Sequence, residues 1–215
     1  MGKKTDLYAL GVGATTPVFC EIAEDSGFNI AGLYHYQNGR TGELVCGKKI
    51  IGSFEDMFNS DIKGKYFLLT MGDMKIRKEL TERIERAGGI LPTIIHPMAK
   101  ISLNAEISNQ GVVVGPFAVV QANAVIDKGV LLRDMALVCH NAHVEEFSFV
   151  GPKALVGAWS HVKANAFIGQ SATLVSSKAK NIGQNTLIGA GALVVDDIPD
   201  NVVAFGSPAK IKSNK

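Results

Sequence analysis

The stretch LVCHNAHVEEFSFVGPKALVGAWSHV, residues 137–162, decides the fold, because an aliphatic residue returns at every sixth position. The same period extends in both directions along the chain and is interrupted by one two-residue insertion. Its aliphatic positions are Val114, Val120, Ile126, Leu132, Val138, Val144, Val150, Val156, Val162, Ile168, Leu174, Ile182, Ile188 and Val194. Mostly small residues stand four places after each aliphatic, and Asn or Gly, which tolerate a left-handed corner, often stands three places after it. This pattern predicts a parallel β-helix, in which three hexads form one triangular coil with the aliphatic side chains stacked inside.

The first part of the chain has a different pattern, in which apolar runs alternate with helical segments. DLYALGVG (6–13), NIAGLYHY (29–36) and KYFLLTM (65–71) are typical of buried strands, and DMKIRKELTERIERAGG (73–89) is typical of an amphipathic helix. Thr16 is expected to cap a further helix, with Pro17 in its first turn. Strands that alternate with helices predict a small parallel sheet of the Rossmann-like kind. Pro97 marks the boundary, so the sequence predicts an α/β domain over 1–96 and an all-β domain over 97–215.

Composition excludes several classes of function. The 215 residues carry a net charge of +2 and no dense run of Lys and Arg, so no nucleic-acid partner is predicted. Cys20, Cys46 and Cys139 show neither disulfide nor metal-ligand spacing, which favours a reducing cytoplasm. No apolar run is long enough for a signal peptide or a membrane span, so no membrane partner is expected.

The repeat and the ending GAGALVVDDIPDNVVAFGSPAKIK (189–212) resemble the left-handed β-helix acyltransferases. A Rossmann-like half in front, joined through IIHPMAKIS (94–102), makes the whole chain resemble the bacterial sugar acyltransferases of the sialic acid O-acetyltransferase type. That family includes the acetyl-CoA-dependent N-acetyltransferases of nucleotide-linked 4-amino sugars. The resemblance implies a left-handed β-helix and a homotrimer with acetyl-CoA, the co-substrate, in a cleft between adjacent β-helices. It also implies that residues 1–96 bind the nucleotide sugar, and that no metal is needed.

By this resemblance His140, two residues after the inward-facing Val138, is the general base that takes a proton from the sugar acceptor. Ala158 lies three hexads after His140 and should stack over it, where its backbone N–H would bind the thioester oxygen. Asn141 stands where several family members carry an acidic residue, and it could orient the His140 ring only by hydrogen bonding. Its place in the corner series favours a structural role instead, which leaves Glu145, Glu146 or a carboxylate of another subunit to orient His140.

Three more positions match the coenzyme cleft of the family. Phe149 replaces a histidine that lies near the acetyl group, and it could pack there against the thioester or a substrate methyl group. Gln170 and Ala190 are expected to act through their backbone. Trp159, the only Trp, stands at a corner and is expected to project onto a ligand or a neighbouring subunit.

His143 and His161 are also three hexads apart and should stack one above the other. Related β-helix carbonic anhydrases bind zinc through histidines, but such a site needs three ligands, and the spacing of His140 does not supply the third. The pair is therefore expected to line the subunit cleft, with no metal bound.

The glycine-containing turn after the first strand suits phosphate binding at a helix N-terminus. The third glycine of the dinucleotide pattern is missing, and so is the acidic residue after the second strand, so a nicotinamide cofactor is not expected. By the resemblance, Gly13-Ala14-Thr15 and His35-Tyr36 hold the nucleotide sugar, although the family has SGH and an acidic pair at these places. Gly72 and Asp73 are expected to border the same crevice at the carboxyl ends of the strands.

The sequence thus predicts acetylation of the amino group of a nucleotide-linked sugar, in the synthesis of a surface glycan such as lipopolysaccharide. O-acetylation of a sugar hydroxyl by the same residues is the nearest alternative. A metalloenzyme of the carbonic anhydrase type and a non-catalytic nucleotide-sugar scaffold are the alternatives from other classes.

Overall fold

The computed structural model describes residues 4–214, and its contacts divide the chain into two units, Met1–His96 and Pro97–Lys215. The helices of the first unit are α1 (Thr16–Asp25), α2 (Phe54–Phe58) and α3 (Met74–Arg86), with a short 3-10 helix at Asn38–Arg40. Its strands are β1 (Thr5–Leu10), β2 (Phe28–His35), β3 (Leu44–Val45), β4 (Lys48–Ser53), β5 (Tyr66–Leu69) and β6 (Ile94–Ile95). None of the helices described in residues 4–214 is long and apolar enough to cross a membrane.

The sheet of the first unit has the order β3-β4-β2-β1-β5, and every pair except β3-β4 is parallel. Strand β1 lies between β2 and β5, and its Leu7, Ala9 and Leu10 are fully buried, as an apolar run in a central strand requires. This is the predicted Rossmann-like alternation. Because parallel strands end at the same edge, the segments that follow β1, β2 and β5 meet there.

One helix start differs from the expectation. Thr15, not Thr16, is the N-cap of α1, and its side chain makes no capping bond. The Thr16 side chain is buried, and its hydroxyl accepts the N–H of Gly13 at 2.9 Å and lies 3.0 Å from the hydroxyl of Thr70. Thr16 therefore fixes the glycine turn against β5 instead of capping the helix.

The second unit is built from short strands that wind around a triangular core. These are β7 (Lys100–Ile101), β8 (Glu106–Ile107), β9 (Val113–Val114), β10 (Val119–Val120), β11 (Val125–Ile126), β12 (Leu131–Leu132), β13 (Leu137–Val138), β14 (His143–Val144), β15 (Phe149–Val150), β16 (Leu155–Val156), β17 (His161–Val162), β18 (Phe167–Ile168), β19 (Thr173–Leu174), β20 (Asn181–Ile182), β21 (Leu187–Ile188), β22 (Leu193–Val194), β23 (Val202–Gly206) and β24 (Ala209–Asn214). The first face contains β7, β10, β13, β16, β19 and β22, and the second face contains β8, β11, β14, β17 and β20. The third face runs from β9 through β12, β15, β18 and β21 to β23 and β24.

Successive coils pair in parallel with a constant register. Leu137 pairs with Leu155, and Phe149 with Phe167, three hexads later in each case. The register lengthens after the insertion, where His161 pairs with Asn181. The aliphatic residue of each hexad is buried in one continuous core, as the period predicts, and the fold is a left-handed parallel β-helix.

The corners of the β-helix use left-handed backbone at many residues besides Asn and Gly. Asn123, Asn141, Asn165 and Asn185 have φ between 55° and 59°, as their residue type favours. Phe117, Met135, Lys153, Trp159, Ser171 and Ser177 also have positive φ. The winding of the coil therefore imposes left-handed backbone at its corners. Only some of the corner residues are of a type that favours this conformation.

Candidate active site

His140 lies at the corner between the first and second faces, two residues beyond the buried Val138, and its side chain is exposed. Its backbone N–H donates to Oε1 of Gln121 in the preceding coil at 2.9 Å. The next residue, Asn141, accepts a hydrogen bond from Nδ2 of Asn123 on its Oδ1 at 3.2 Å. Asn141 is thus bonded within the corner, and this contact supports the structural role.

Glu145 does not orient His140. One of its carboxylate oxygens lies 2.6 Å from Nε2 of His161, and the other accepts the backbone N–H of Ala164 at 2.8 Å. The aromatic partner of the His140 ring is Trp159, whose ring centroid is 6.4 Å away with the two planes at 89°. Glu145, one of the three candidates for orienting His140, is therefore paired with His161 instead.

Ala158 lies one coil beyond His140, and the adjacent Trp159 donates its backbone N–H to the carbonyl of His140 at 3.4 Å. The N–H of Ala158 itself donates to Oγ of Ser176, in the following coil, at 2.9 Å. This contact corrects the expectation of an open donor at Ala158, because the hydroxyl of Ser176 already occupies it. Ser176 is exposed and lies three hexads after Ala158, so the same spacing rule could have found it.

Cys139, next to the candidate base, is a free and partly buried thiol. Burial raises the pKa of its thiol, and the backbone N–H of Ala158 only partly opposes that rise. Since the thiolate is the reactive form, a raised pKa keeps Cys139 protonated and unreactive near neutral pH. The geometry therefore favours direct attack by the acceptor over an acyl-cysteine intermediate.

His143 and His161 stack as the spacing predicts, with ring centroids 4.8 Å apart and planes 8° apart. Nε2 of His143 lies 2.8 Å from a carboxylate oxygen of Asp127, while His161 pairs with Glu145. Ligand atoms of His143, Glu145 and His161 all lie within 4.8 Å of one another, so this group could hold a divalent ion. The rings are parallel, and each is paired with a carboxylate of its own, Asp127 or Glu145. The expected absence of a metal stays a prediction.

A cavity of about 240 Å³ on the third face contains three of the four residues expected to bind acetyl-CoA. They are Phe149, Gln170 and Ala190, and the ring of Phe149 stacks on that of Phe167 with centroids 4.5 Å apart. Within residues 4–214 no hydrogen-bond acceptor is found for the backbone N–H of Gln170 or Ala190. The cavity therefore offers an apolar wall and two backbone donors.

Glycines make this close approach of backbone possible. A Cβ on Gly151 would lie 2.7 Å from the backbone N of Gln170, and a Cβ on Gly169 would lie 2.6 Å from that of Ala190. Both distances are shorter than any side chain tolerates, so the corner beside the cavity requires glycine. The sequence analysis missed Phe167, although it lies three hexads after Phe149.

The four residues expected to bind acetyl-CoA do not meet in one place. Ala158 and His140 lie at the corner between the first and second faces, whereas Phe149 is on the third face, and Gln170 and Ala190 follow strands of the third face. In a triangular coil that corner is opposite the third face. One β-helix therefore carries two half-sites on different sides.

The first unit has a cavity of its own, of about 270 Å³, at the edge where β1, β2 and β5 end. Of the residues expected to bind the nucleotide sugar, it contains Gly13, Thr15 and Tyr36. Its other lining residues are Gly11, Val12, Phe54, Thr70, Met71 and Ile76. The sequence analysis missed the apolar residues of this wall.

Four of the residues expected to contact the substrate do not line this cavity, and their role stays a prediction. His35 is only 2% exposed, and its Nδ1 accepts the backbone N–H of Gln37 at 3.0 Å, so it is part of the interior. Asp73 is the N-cap of α3, and its carboxylate accepts the N–H of Lys75 at 2.9 Å. Ala14 and Gly72 do not line the cavity.

The glycine turn has fewer free donors than a phosphate cradle needs. The N–H of Gly13 is bonded to Thr16, and the hydroxyl of Thr15 donates to the carbonyl of Thr70 at 2.9 Å. Because these polar groups satisfy one another, the cavity presents chiefly the apolar side chains of Val12, Phe54, Met71 and Ile76 together with the Tyr36 ring. Such a wall suits a flat or apolar group better than a diphosphate.

Two solved structures resemble the whole chain. The acetyltransferase domain of PglB from Neisseria gonorrhoeae FA1090, in complex with acetyl coenzyme A, has a TM-score of 0.87 and 29% sequence identity, and the match covers 98% of this chain and 100% of that chain. A mutant of perosamine N-acetyltransferase from Caulobacter crescentus, in complex with CoA and GDP-perosamine, has a TM-score of 0.89 and 26% identity, and the match covers 97% of each chain.

Comparisons of sequence match shorter segments. The family model described as the GMPPB C-terminal domain matches residues 90–181. The galactoside O-acetyltransferase of Lactococcus lactis subsp. lactis (strain IL1403) is 68% identical over 31 residues, which are 14% of this chain and only 15% of that protein. The hexad period, the two-unit architecture and these likenesses agree with one another. Over nearly its whole length the chain is accordingly similar to sugar acetyltransferases, among them the PglB acetyltransferase domain and perosamine N-acetyltransferase.

Proposed function

We propose that this chain is an acetyltransferase that moves the acetyl group of acetyl-CoA to the amino group of a nucleotide-linked sugar. The observation that carries the proposal is the exposed imidazole of His140, one coil before the backbone N–H of Ala158, which donates to Oγ of Ser176. Support comes from the two similar structures, which hold acetyl coenzyme A in one case and CoA with GDP-perosamine in the other.

In this reaction the amine nitrogen attacks the thioester carbonyl carbon, and a new C–N bond forms. His140 takes the proton that the nitrogen loses, acting as the general base. The carbonyl oxygen, which becomes negatively charged in the transition state, replaces the Ser176 hydroxyl as the acceptor of the Ala158 backbone N–H and is stabilised by it. As the C–S bond breaks, the thiolate of CoA leaves, and the proton held by His140 neutralises it.

The proposed enzyme works as a homotrimer. The half-site with His140 and the cavity with Phe149 lie on different sides of one β-helix, so the corner of one copy must meet the third face of the next. A cyclic arrangement repeats this contact in each subunit and closes on itself. The bound coenzyme would then reach from the third-face cavity of one subunit to His140 of its neighbour.

The cavity of the first unit is the proposed place for the nucleotide. Its lining of Tyr36, Phe54 and Met71 provides an apolar and aromatic wall for a base. We place the reaction in the cytoplasm, because the three cysteines are free, as a reducing compartment requires. The acetylated sugar would serve the synthesis of a surface polysaccharide such as lipopolysaccharide.

O-acetylation of a sugar hydroxyl is the second candidate. The observation that favours it is the likeness of 31 residues to galactoside O-acetyltransferase. Mass spectrometry of the product before and after mild alkali separates the two, because an ester is hydrolysed and an amide is not.

The proposed function is tested by measuring thiol release from acetyl-CoA against a panel of UDP-, dTDP- and GDP-linked amino sugars. At least one sugar should release thiol in an amount that equals the acetylated product. The variant His140→Ala should lower kcat by about 10²–10⁴-fold, which is the usual contribution of a general base. His143→Ala is the matched control, and equal activity of the His140 variant and the parent would overturn the assignment.

A further inference from the structure

Trp159, the single Trp of the chain, stands at a corner with φ of 65° and is 59% exposed. A positive φ is uncommon for any residue with a side chain, and for a bulky one it is a true outlier. Exposure of an indole of this size to water is also unfavourable. The coil imposes the positive φ here as it does at Phe117 and Met135, so what the fold does not explain is the exposed indole beside the candidate base.

The neighbouring corners show what the fold alone would select. Asn123 and Asn141 precede Trp159 in the same column, each with φ of 59°, and their side chains bond to each other at 3.2 Å. An Asn at position 159 would extend this ladder by one coil without strain. The chain has an aromatic residue instead, beside the candidate base.

The ring of Trp159 lies beside the ring of His140, the candidate base. The two ring centroids are 6.4 Å apart, and the planes are perpendicular. A general base must come within about 3 Å of the group whose proton it takes. An acceptor that binds His140 on the side of the indole therefore lies within contact distance of Trp159.

We propose that Trp159 is the platform for the acceptor sugar and that it selects an amine over a hydroxyl at the reacting position. This inference rests on the proposed function. The C–H face of the sugar ring packs on the indole, which provides a large apolar surface. The amine arrives as an ammonium ion at neutral pH and releases one proton to the solvent before it attacks, and the face of Trp attracts cations more strongly than any other aromatic side chain.

The same contact would favour binding of the substrate over binding of the product. Acetylation converts the cationic amine into a neutral amide, so the product loses the attraction to the indole that the substrate had. A sugar with a hydroxyl at the reacting carbon never has that attraction. Coenzyme A is an anion, and its expected cavity is on the third face, so Trp159 discriminates among acceptors and not among acyl donors.

The single Trp makes the binding directly visible by fluorescence. The full chain is titrated with a nucleotide-linked amino sugar, the same sugar with a hydroxyl in place of the amine, the free nucleotide, and CoA. The amino sugar should change the emission most, the hydroxy sugar less, and the free nucleotide and CoA little. A change produced equally by CoA or by the free nucleotide would overturn the proposal.

Kinetics of the variant Trp159→Asn provide the second readout, since Asn suits the corner and keeps the fold. Its KM for the amino sugar should rise about tenfold or more, with the KM for acetyl-CoA within about twofold, and the preference for amine over hydroxyl should shrink. Trp159→Phe should recover part of the loss. Phe117→Asn is the matched control, because Phe117 has φ of 59° and is 50% exposed at another corner.

The experiments distinguish a failure of the proposed acetyltransferase function from a failure of the role proposed for Trp159. If no amino sugar supports thiol release, the proposed function fails, and the fluorescence titration still shows whether a sugar contacts Trp159. If acetylation occurs and depends on His140, but the Trp159→Asn variant keeps its KM and its amine preference, the platform is wrong and the enzyme assignment stands.

Discussion

The backbone N–H of Ala158 donates to Oγ of Ser176 at 2.9 Å. The N–H that is proposed to bind the thioester oxygen therefore already has an acceptor. The hydroxyl is on an exposed side chain and can rotate away, whereas the N–H is fixed by the coil. In the proposed reaction the thioester oxygen would replace the Ser176 hydroxyl as the acceptor of this N–H.

We expect Ser176→Ala to keep kcat within about threefold of the parent or to raise it, because the N–H of Ala158 no longer has a competing acceptor. Steady-state kinetics with saturating acetyl-CoA measure the effect, and Ser177→Ala at the next position is the control. A fall of about 10² or more, the usual cost of one oxyanion donor, would mean that the hydroxyl of Ser176 itself binds the oxygen.

Replacement of Glu145 by Gln tests which histidine that carboxylate serves. The bond to His161 should weaken and lower the free energy of unfolding by about 1 kcal/mol, as measured by urea denaturation. The kcat should stay within about twofold, because Glu145 does not contact His140. Glu146→Gln is the companion variant, and a kcat loss confined to the Glu145 variant would return Glu145 to the role of orienting the base.

Gly169→Ala should disturb the third-face cavity. The new Cβ would lie 2.6 Å from the backbone N of Ala190, so the coils must separate, at a cost of about 1–3 kcal/mol. We expect a lower melting temperature and a raised KM for acetyl-CoA with a smaller effect on the KM for the sugar. Gly39→Ala is the control, since nothing lies within 4 Å of its Cβ, and the same melting temperature for both variants would contradict the tight fit.

The cysteines should differ in their reaction with iodoacetamide at pH 8. Burial is the main cause that raises the pKa of Cys20 from 9.0 to about 11, so its reactive thiolate is scarce at this pH, while Cys46 is exposed. We expect labelling at Cys46 first and at Cys20 last, as read by mass spectrometry of peptides. The folded state holds the Cys20 proton more tightly than the unfolded state does. The corresponding stability is therefore complete below pH 9 and is lost as the pH rises toward 11.

Mixing two inactive variants tests whether the half-sites come from different subunits. His140→Ala lacks the base but keeps the cavity, and Gly169→Val lacks the cavity but keeps the base. Random mixed trimers should regain about one quarter of the parent activity, because one contact in four then joins an intact base to an intact cavity. Mixtures that remain inactive after co-expression, with mixed assembly verified by mass spectrometry, would contradict a shared site.

The sequence was most informative where one physical rule repeats. The six-residue period predicted the buried Val138, Val144 and Val150 and the stacked pair of His143 and His161, because every coil obeys the same geometry. The same spacing places Ser176 one coil beyond Ala158, but the hydrogen bond between them depends also on the rotation of one hydroxyl, which no period predicts.

The first unit shows a different limit. The order of strands and helices was evident, and so was the edge at which Gly13 and Tyr36 meet. The cavity wall of Phe54, Met71 and Ile76 comes from three separate segments, and nothing in the local sequence connects them. The family resemblance gave His35 a place beside the nucleotide sugar, but its side chain is buried and Nδ1 accepts the backbone N–H of Gln37.

The separation of the two half-sites on opposite sides of one coil has a consequence for how the enzyme responds to dilution. A single copy would contain every group that the proposed reaction needs and would still be inactive, because its two half-sites cannot face each other. Turnover per chain should then rise with protein concentration and level off once all copies are assembled, while circular dichroism reports the same folded state throughout.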